Sequence, residues 1–178
     1  MIAGAHAVLW VKENGTGNDA CRFADAEGGY LIDGSSTDAD GNVLRYRIRA
    51  RSDGTTRRVR IGAKSRIFVR HAPDDTWMLN GTPVPDVTGA KDIYFGFTPA
   101  TVTLPIRRLK LDVGDEAETQ VARLNIDKER LEPLHLVFRR VANDEYECLT
   151  TETGITSHYS VDAQGIVRVE QGHWIAQA

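Results

Sequence analysis

The sequence predicts a single all-β domain in the form of a sandwich, a roll or a barrel-like antiparallel sheet. Short runs rich in Val, Ile, Tyr, Thr and Arg are separated by clusters of Gly, Asn, Asp and Pro, and helical periodicity is nearly absent. About a dozen strands fit between these clusters, at the spacing of roughly 8–12 residues typical of all-β folds. The 178 residues predict one domain over 1–178 that is long enough to bury a core.

The first predicted strand runs from Ala5 to Val11, within a mildly apolar start that lacks the basic segment of a signal peptide. This start favours a cytoplasmic protein, and no apolar run is long enough to span a bilayer. The turn-forming clusters then follow in order: "NGTGND" (14–19), "EGG" (27–29), "DADGN" (38–42), "SDGT" (52–55), "APDD" (72–75), "LNGTP" (79–83), "VGDE" (113–116), "ANDE" (142–145) and "DAQG" (162–165). At most a short helical turn is expected, at "DKERLEP" (127–133), where Pro133 would end it.

Two segments predict hairpins. Apolar residues and arginines alternate from Leu44 to Arg51 and again from Arg58 to Ile61, on either side of an Asp53-Gly54 turn. Pairing of these two strands places both arginine rows on the same side of the sheet. A second hairpin joins "HYSV" to "IVRV" around the "AQG" turn.

The first hairpin begins an arginine stripe, residues 45–70, which holds nine arginines and Lys64 against a single acid, Asp53. Like charges on neighbouring strands repel each other, so the stripe requires water, distant acids or an anionic ligand. One interpretation is a solvated face neutralised by the acid-rich stretches 112–118 and 143–152. The other is a surface for a phosphate, sulfate or carboxylate head group, with Arg47, Arg49 and Arg58 as candidate contacts.

Nucleic acid is a poorer partner for this stripe than a small anionic ligand. The net charge of the chain is −3. Tyr46 alternates with arginines in the first hairpin and so falls on the face opposite them. The arginine face is therefore expected to lack the interleaved aromatic residues of a base-stacking platform.

Other residue types that carry chemistry give weak patterns. The two cysteines, Cys21 and Cys148, are expected to be buried rather than bridged. The five histidines have no companions at metal-ligand spacing, so the sequence predicts no metal or cofactor. No nucleophile elbow or phosphate loop is present. Catalysis is therefore a secondary hypothesis, in which Asp92 with Asp162 or Glu147 would be the carboxylate pair of a hydrolase.

The segment "TLPIRRLKL" has the most unusual pattern in the chain. Its apolar alternation changes phase after Ile106, and Pro105 stands where a strand would need a backbone donor. A bulged strand accommodates both features and would turn Arg107 and Arg108 to different sides. An arginine turned inward needs a carboxylate, such as Asp92, or a ligand anion. The residues alone leave a structural and a ligand-binding role open.

This segment resembles the "putative glycolipid-binding" family of bacterial proteins, formerly a family of uncharacterised function. The family's hallmark is D-V-D-L followed by T-P-F-T-N-T-L-P-I-R-R-L, and the matching stretch here is "DIYFGFTPATVTLPIRRL", residues 92–109. Further matches follow the family's order: "VLW", "LRYRI" with "TTRRV", "TWMLNG", "YECL" and "YSVDAQGIV". The chain departs from the pattern at Tyr94, Ala100 and Val102, where the family has Asp, Phe and Asn.

The resemblance implies a spiral β-roll around an elongated groove, and binding of a glycolipid or similar amphiphile with an apolar tail and a sugar or anionic head. It also implies a role in glycolipid metabolism. On the hallmark positions, the candidate site or site-supporting residues are Asp92, Thr101, Thr103, Arg107 and Arg108. The departures imply a site that is more apolar than in the family or that binds a different ligand. A protein-interaction module that uses the arginine stripe is the remaining hypothesis.

Four aromatic residues lie close to the hallmark in sequence: Trp77, Tyr94, Phe95 and Phe97. Aromatic rings suit the apolar faces of sugars, and they are equally common in protein cores. The sequence therefore leaves open whether each of them contacts a ligand or packs in the interior.

Overall fold

Buried and exposed residues alternate along most of the chain, and they produce fifteen strands in the part that the computed structural model describes, residues 4–62 and 67–177. The strands are β1 (Ala5–Lys12), β2 (Asn18–Ala26), β3 (Gly29–Thr37), β4 (Val43–Arg51), β5 (Thr56–Ile61), β6 (Ile67–His71), β7 (Trp77–Leu79), β8 (Thr82–Pro83), β9 (Asp92–Tyr94), β10 (Glu116–Asn125), β11 (Arg130–Arg140), β12 (Glu145–Thr150), β13 (Ile155–Val161), β14 (Val167–Glu170) and β15 (Trp174–Ala176). Two 3₁₀ turns (Pro85–Val87 and Pro99–Thr101) and one helix, α1 (Thr103–Leu109), complete the described elements. The all-β class predicted from the sequence is confirmed.

All fifteen strands belong to one sheet, in the order β8-β7-β6-β5-β4-β3-β2-β1-β15-β14-β13-β12-β11-β10-β9. Strands β1 to β8 form one meander, and strands β10 to β15 form a second. Pairing of β1 with β15 joins the two meanders. The ends of this order, β8 and β9, are unpaired edges within the described residues, so the roll is open. The pairing is antiparallel except between β9 and β10, which run parallel.

The arginine hairpin forms as predicted. Arg47 lies opposite Arg60 and Arg49 opposite Arg58, and all four side chains are exposed. Ile48 and its partner Val59 are both fully buried on the other face. Because side chains alternate between the two faces of a strand, one face of β4 and β5 enters the core while the other presents arginine. Residues 63–66, which include Lys64 and Arg66 of the stripe, lie outside the described part of the chain.

The chain between β8 and β10, residues 84–111, fills the interior of the roll and is called the inner segment here. Its Ile93, Phe95 and Leu104 are almost completely buried and belong to the same hydrophobic cluster as the inward side chains of the sheet. The main chain of Lys91 bridges opposite parts of the roll: its carbonyl accepts the N–H of Thr56 at 3.0 Å, and its N–H donates to Gln120 at 3.1 Å. The inner segment therefore occupies the space where the resemblance implied a groove.

The segment "TLPIRRL" is α1, so the prediction of a bulged strand is wrong. The helix follows the 3₁₀ turn, where Thr98 accepts the N–H of Ala100 with its hydroxyl at 3.1 Å. Pro105 lies in the first helical turn, where backbone N–H groups have no partner within the helix, so a proline there sacrifices no hydrogen bond. Lys110 ends the helix with a left-handed φ of 50°.

The helical turn expected at 127–133 is also absent. Residues 126–129 form the turn between β10 and β11, and Pro133 lies inside β11 opposite Ala122. Pairing of β11 with β12 begins only at Leu136, so the side of Pro133 that lacks an N–H faces no neighbouring strand. The predicted burial of Cys21 and Cys148 is confirmed, and both are free thiols.

Candidate functional site

Asp92 of β9 and Arg108 of α1 form an ion pair inside the roll. The Nε and Nη2 atoms of Arg108 donate to Oδ2 of Asp92 at 2.9 and 2.7 Å, and Nη2 also donates to Thr119 of β10 at 2.6 Å. Asp92 is fully buried. Burial raises the pKa of Asp92, and the positive charge of Arg108 opposes that rise. The inward arginine and its predicted partner Asp92 are confirmed, and together they fix α1 against β9 and β10.

Arg107 leaves α1 in a different direction. Its Nη1 donates to the carbonyl of Gln164, in the turn between β13 and β14. Its guanidinium also lies 5.4 Å from the ring centre of Tyr30 in β3, a cation–π contact. Successive helical side chains point about 100° apart, so a helix separates the two arginines as the predicted bulge would have done. Arg107 thus ties α1 to two distant parts of the sheet.

The two candidate threonines are also interior. Thr101 accepts the N–H of Phe95 with its hydroxyl at 3.1 Å and has no exposed surface. Thr103 is equally buried, and its hydroxyl has no hydrogen-bond partner among the described residues. The five hallmark candidates therefore all belong to the inner segment, and all but Thr103 make side-chain hydrogen bonds to other protein groups.

The carboxylates suggested as hydrolase partners of Asp92 have other contacts. Asp162 accepts the backbone N–H groups of Gln164 and Ile166 and so closes the β13–β14 turn. Glu147 lies 3.8 Å from Nδ1 of His158. No contact recorded within the described ranges joins either of them to Asp92.

A second buried polar cluster joins the middle of the inner segment, at Thr98, to the sheet. Tyr46 donates its hydroxyl to Oδ2 of Asp19 at 2.7 Å, and the hydroxyl of Thr98 donates to the same oxygen. Asp19 has no exposed surface. Burial raises its pKa, and the hydrogen bonds from Thr98 and Tyr46 oppose the rise. Sequence reasoning missed this cluster, because Asp19 falls within a turn-forming stretch and Tyr46 resembles an ordinary core residue; only the Thr-Pro of the hallmark marked Thr98.

Three aromatic rings stand beside this cluster. Phe95 and Phe97 are stacked with ring centres 5.0 Å apart, and each meets Tyr46 edge-on at 5.8 Å. Phe95 is buried, whereas Phe97 is partly exposed. The aromatic stack therefore begins in the core and reaches the surface at Phe97.

Phe97 forms part of the wall of an open cleft of about 470 Å³, called the Phe97 cleft here. Its lining comes from β3, β4, the inner segment and the β10–β11 hairpin: Ser36, Asp38, Asn42, Val43, Leu44, Gly96, Phe97, Leu124, Ile126 and Asp127. A volume of this size is within the range of small-molecule sites. Of these lining residues, the sequence offered only Phe97, as an aromatic residue that contacts a ligand or packs in the core. The others gave no signal, because three distant segments must come together to form the cleft.

The walls and the rim of the Phe97 cleft differ in chemistry. Leu44, Phe97 and Ile126 offer partly exposed apolar surface, while Asp38, Asn42 and Asp127 are exposed polar residues. Asp38 accepts hydrogen bonds from the side-chain amide and backbone N–H of Asn42 at 3.0 and 2.9 Å, and these bonds lower its pKa. The rim is therefore anionic and rich in hydrogen-bond acceptors.

Arg47, Arg49 and Arg58 lie elsewhere, on the outer face of β4 and β5, where with Arg60 they line a depression of about 200 Å³. Arg47 pairs with Asp33 of β3 at 2.5 Å. The arginines of the stripe are mostly exposed, as the solvated-face interpretation expects. Within the described ranges, no ion pair joins the stripe to either acid-rich stretch.

The arginine face also carries an aromatic residue, Phe68 of β6, which was not expected there from the sequence. The ring centre of Phe68 lies 5.5 Å from the guanidinium of Arg58 and 6.0 Å from that of Arg60. One ring between two arginines holds their side chains near the sheet, and it does not form a series of stacking surfaces.

In the described ranges, no three His, Cys, Asp or Glu side chains are grouped so that they could hold a metal ion. The same part of the chain contains no helix of the length and apolarity needed to cross a membrane.

Comparisons with known proteins agree with this architecture. The model of a family described as "Putative glycolipid-binding" matches residues 7–175. A crystal structure of a DUF1089 family protein from Pseudomonas aeruginosa is similar, with a TM-score of 0.66 and 21% sequence identity over 96% of this chain and 90% of that chain. At that identity the similarity shows a shared fold. No curated protein matches the chain.

Proposed function

The chain belongs to the "putative glycolipid-binding" family, and from that premise we propose that it binds a glycolipid or a similar amphiphile, without catalysis, in the Phe97 cleft. The observation that carries this proposal is the position of the cleft. The inner segment fills the interior of the roll, and the Phe97 cleft is a solvent-accessible space where its aromatic residues reach the surface.

The apolar walls suit the tail of an amphiphile. Leu44, Phe97 and Ile126 keep part of their surface exposed, and a bound alkyl chain would remove that surface from water. Each buried methylene group contributes about 0.8 kcal/mol to such binding. A short stretch of alkyl chain therefore provides useful affinity without a deep tunnel.

The rim favours a neutral sugar head over an anionic one. Sugar hydroxyl groups donate hydrogen bonds, and Asp38, Asn42 and Asp127 supply carboxylate and amide oxygens that accept them. The two carboxylates repel a phosphate or sulfate group at the same place. In this proposal Arg47, Arg49 and Arg58 do not contact the head group, because none of them lines the cleft.

The hallmark residues act in this proposal as positioning residues. Arg108, Arg107 and Asp92 hold α1 in place, and Thr98 fixes the chain directly after Phe97 through Asp19. Their hydrogen bonds hold the Phe97 ring at the cleft wall. This role fits Asp92 and Thr98, whose side chains are buried.

The proposal is tested with octyl β-glucoside, which has a neutral sugar head and a short alkyl tail, used below its micelle concentration. We expect calorimetric titration to show binding, and glucose alone to bind much more weakly. Phe97→Ser should weaken octyl glucoside binding by about tenfold or more, since loss of the aromatic wall removes at least about 1.4 kcal/mol.

The matched control is Ile155→Ser, which removes an exposed apolar side chain from β13, outside the cleft. It should bind octyl glucoside as the unchanged protein does. Native mass spectrometry of protein purified gently from its own host should in addition show a bound amphiphile. Absence of both octyl glucoside binding and a co-purified amphiphile, or equal weakening by the two substitutions, would overturn the proposal.

A further inference from the structure

Three arginines on neighbouring strands form a row that the amphiphile proposal does not use. Arg49 of β4 lies opposite Arg58 of β5, and Arg58 lies opposite Arg70 of β6. Neighbouring strands are about 4.8 Å apart, so three exposed positive charges follow one another at that spacing. Within the described residues none of the three takes part in an ion pair. The repulsion within such a row is only partly relieved by water, and a bound anion would relieve it further.

A β-bulge adds a fourth arginine beside this row. The register of β4 and β5 shifts between Arg49 and Ala50: Arg49 pairs with Arg58, whereas Ala50 pairs with Thr56. Arg57 is the extra residue, and it is exposed next to Arg58 rather than pointing into the core. The irregularity therefore places two consecutive arginine side chains of β5 on the solvent side.

Arg57, Arg58 and Arg70 border a cleft of about 390 Å³, called the arginine cleft here. The rest of its lining consists of Gly28, Arg51, Ser52 and residues 71–73. Its lining contains no Asp or Glu. Arg51 is held at one side of it, because its Nη1 donates to the carbonyl of Thr56 at 2.7 Å and its Nη2 to that of His71. Arg57, Arg58 and Arg70 remain as exposed donors around a concave space.

We propose that the arginine cleft binds a multiply charged phosphate-type anion, such as a phosphomonoester or a pyrophosphate group. The planar guanidinium group donates paired hydrogen bonds that match phosphate oxygens, and three of them balance an anion of two or more negative charges. The anion removes the repulsion within the row, so its binding also stabilises the fold. The site shares no lining residue with the Phe97 cleft and does not depend on the amphiphile proposal.

The experiment uses inorganic pyrophosphate as the probe, with sodium chloride at equal ionic strength as the reference. We expect saturable binding by calorimetry and a rise in melting temperature, both weakening with added salt.

The triple variant Arg57→Gln, Arg58→Gln, Arg70→Gln should lose at least about tenfold in affinity for pyrophosphate. The matched control is Arg123→Gln, Arg130→Gln, Arg139→Gln, which removes the same charge from exposed positions on β10 and β11 and should bind as before. If the triple variant does not fold, the single substitutions Arg57→Gln and Arg70→Gln make the same test.

Vesicles distinguish the two sources of such a phosphate. Sedimentation with vesicles of phosphatidic acid in phosphatidylcholine, lost in the triple variant, would assign the site to a lipid phosphomonoester. Pyrophosphate binding without sedimentation would assign it to a soluble phosphate compound. The proposal is overturned if neither probe binds at about 1 mM in low salt, if the control triple loses as much, or if a DNA duplex binds in preference to both.

Discussion

Arg108 directs two guanidinium nitrogens, Nε and Nη2, to a single carboxylate oxygen of Asp92 at 2.9 and 2.7 Å. The second oxygen of Asp92 is buried without a hydrogen-bond partner among the described residues. Arg108 therefore supplies the interaction that compensates for burying this carboxylate. The pair joins the C-terminal part of α1 to the edge strand β9, and so holds both ends of the inner segment's hallmark region.

Arg108→Met is expected to destabilise the protein by about 3–5 kcal/mol, because it leaves a buried charge without its partner. Urea unfolding followed by circular dichroism measures the free energy. The control Arg130→Met removes an exposed arginine paired with Glu132 and should cost about 1 kcal/mol or less. The double variant Asp92→Leu, Arg108→Met should recover much of the loss, since it removes both charges. Similar losses for Arg108→Met and Arg130→Met would contradict this account.

The strand at residues 44–51 could be predicted from the sequence, whereas the helix α1 could not. The alternation from Leu44 to Arg51 is a local pattern with period two, and it fixed both the strand and the face that its arginines occupy. The segment of α1 gave no comparable pattern, because the helix has seven residues and is enclosed by the sheet. Leu104, Pro105 and Ile106 are all buried, so no polar face marks a helical period. A buried helix and a bulged strand then look the same in sequence.

The candidate site required contacts between distant parts of the chain. Thr98 and Asp19 are 79 residues apart, and their hydrogen bond fixes where Phe97 emerges. The pairing of Arg108 with Asp92 was accessible to sequence reasoning, because an inward arginine needs a carboxylate and Asp92 lies within the same hallmark. The walls of the Phe97 cleft come from segments whose meeting depends on how the sheet rolls, and no local pattern records that.

Gly34→Ala is expected to destabilise the protein by about 1–3 kcal/mol through overpacking. A Cβ atom at position 34 would lie 2.2 Å from Cζ of Tyr46 and 2.3 Å from its hydroxyl oxygen. The ring cannot move away freely, because its hydroxyl is bonded to Asp19 and its edges contact Phe95. Thermal and urea unfolding measure the loss. Gly96→Ala is the control: no atom lies within 4 Å of its added Cβ, so its stability should change by less than about 0.5 kcal/mol. An equal effect of both substitutions would mean that Tyr46 is free to shift.

Asp19 is expected to make stability decrease as pH rises above the range of ordinary carboxylates. Burial raises its pKa above the ordinary value of 3.8 in the folded protein, against the opposing hydrogen bonds from Thr98 and Tyr46. Between the unfolded and folded pKa values the folded state binds more protons. The stability contributed by protonated Asp19 is therefore complete below the unfolded pKa and is lost as pH rises through the folded pKa.

Asp19→Asn tests this sign, because the amide oxygen still accepts hydrogen bonds but does not titrate. Urea unfolding at pH 4, 5, 6 and 7 should show the variant gaining stability relative to the unchanged protein as pH rises. Asp74→Asn is the control and should show almost no trend over this range, because hydrogen bonds from Thr76 lower the pKa of Asp74 and its contribution to stability is lost only as pH falls below the ordinary value of 3.8. Since all other groups titrate equally in each comparison, the differences isolate the two carboxylates. A difference for Asp19→Asn that does not change with pH would show that Asp19 stays ionised in the fold, with Tyr46 and Thr98 compensating fully for its burial.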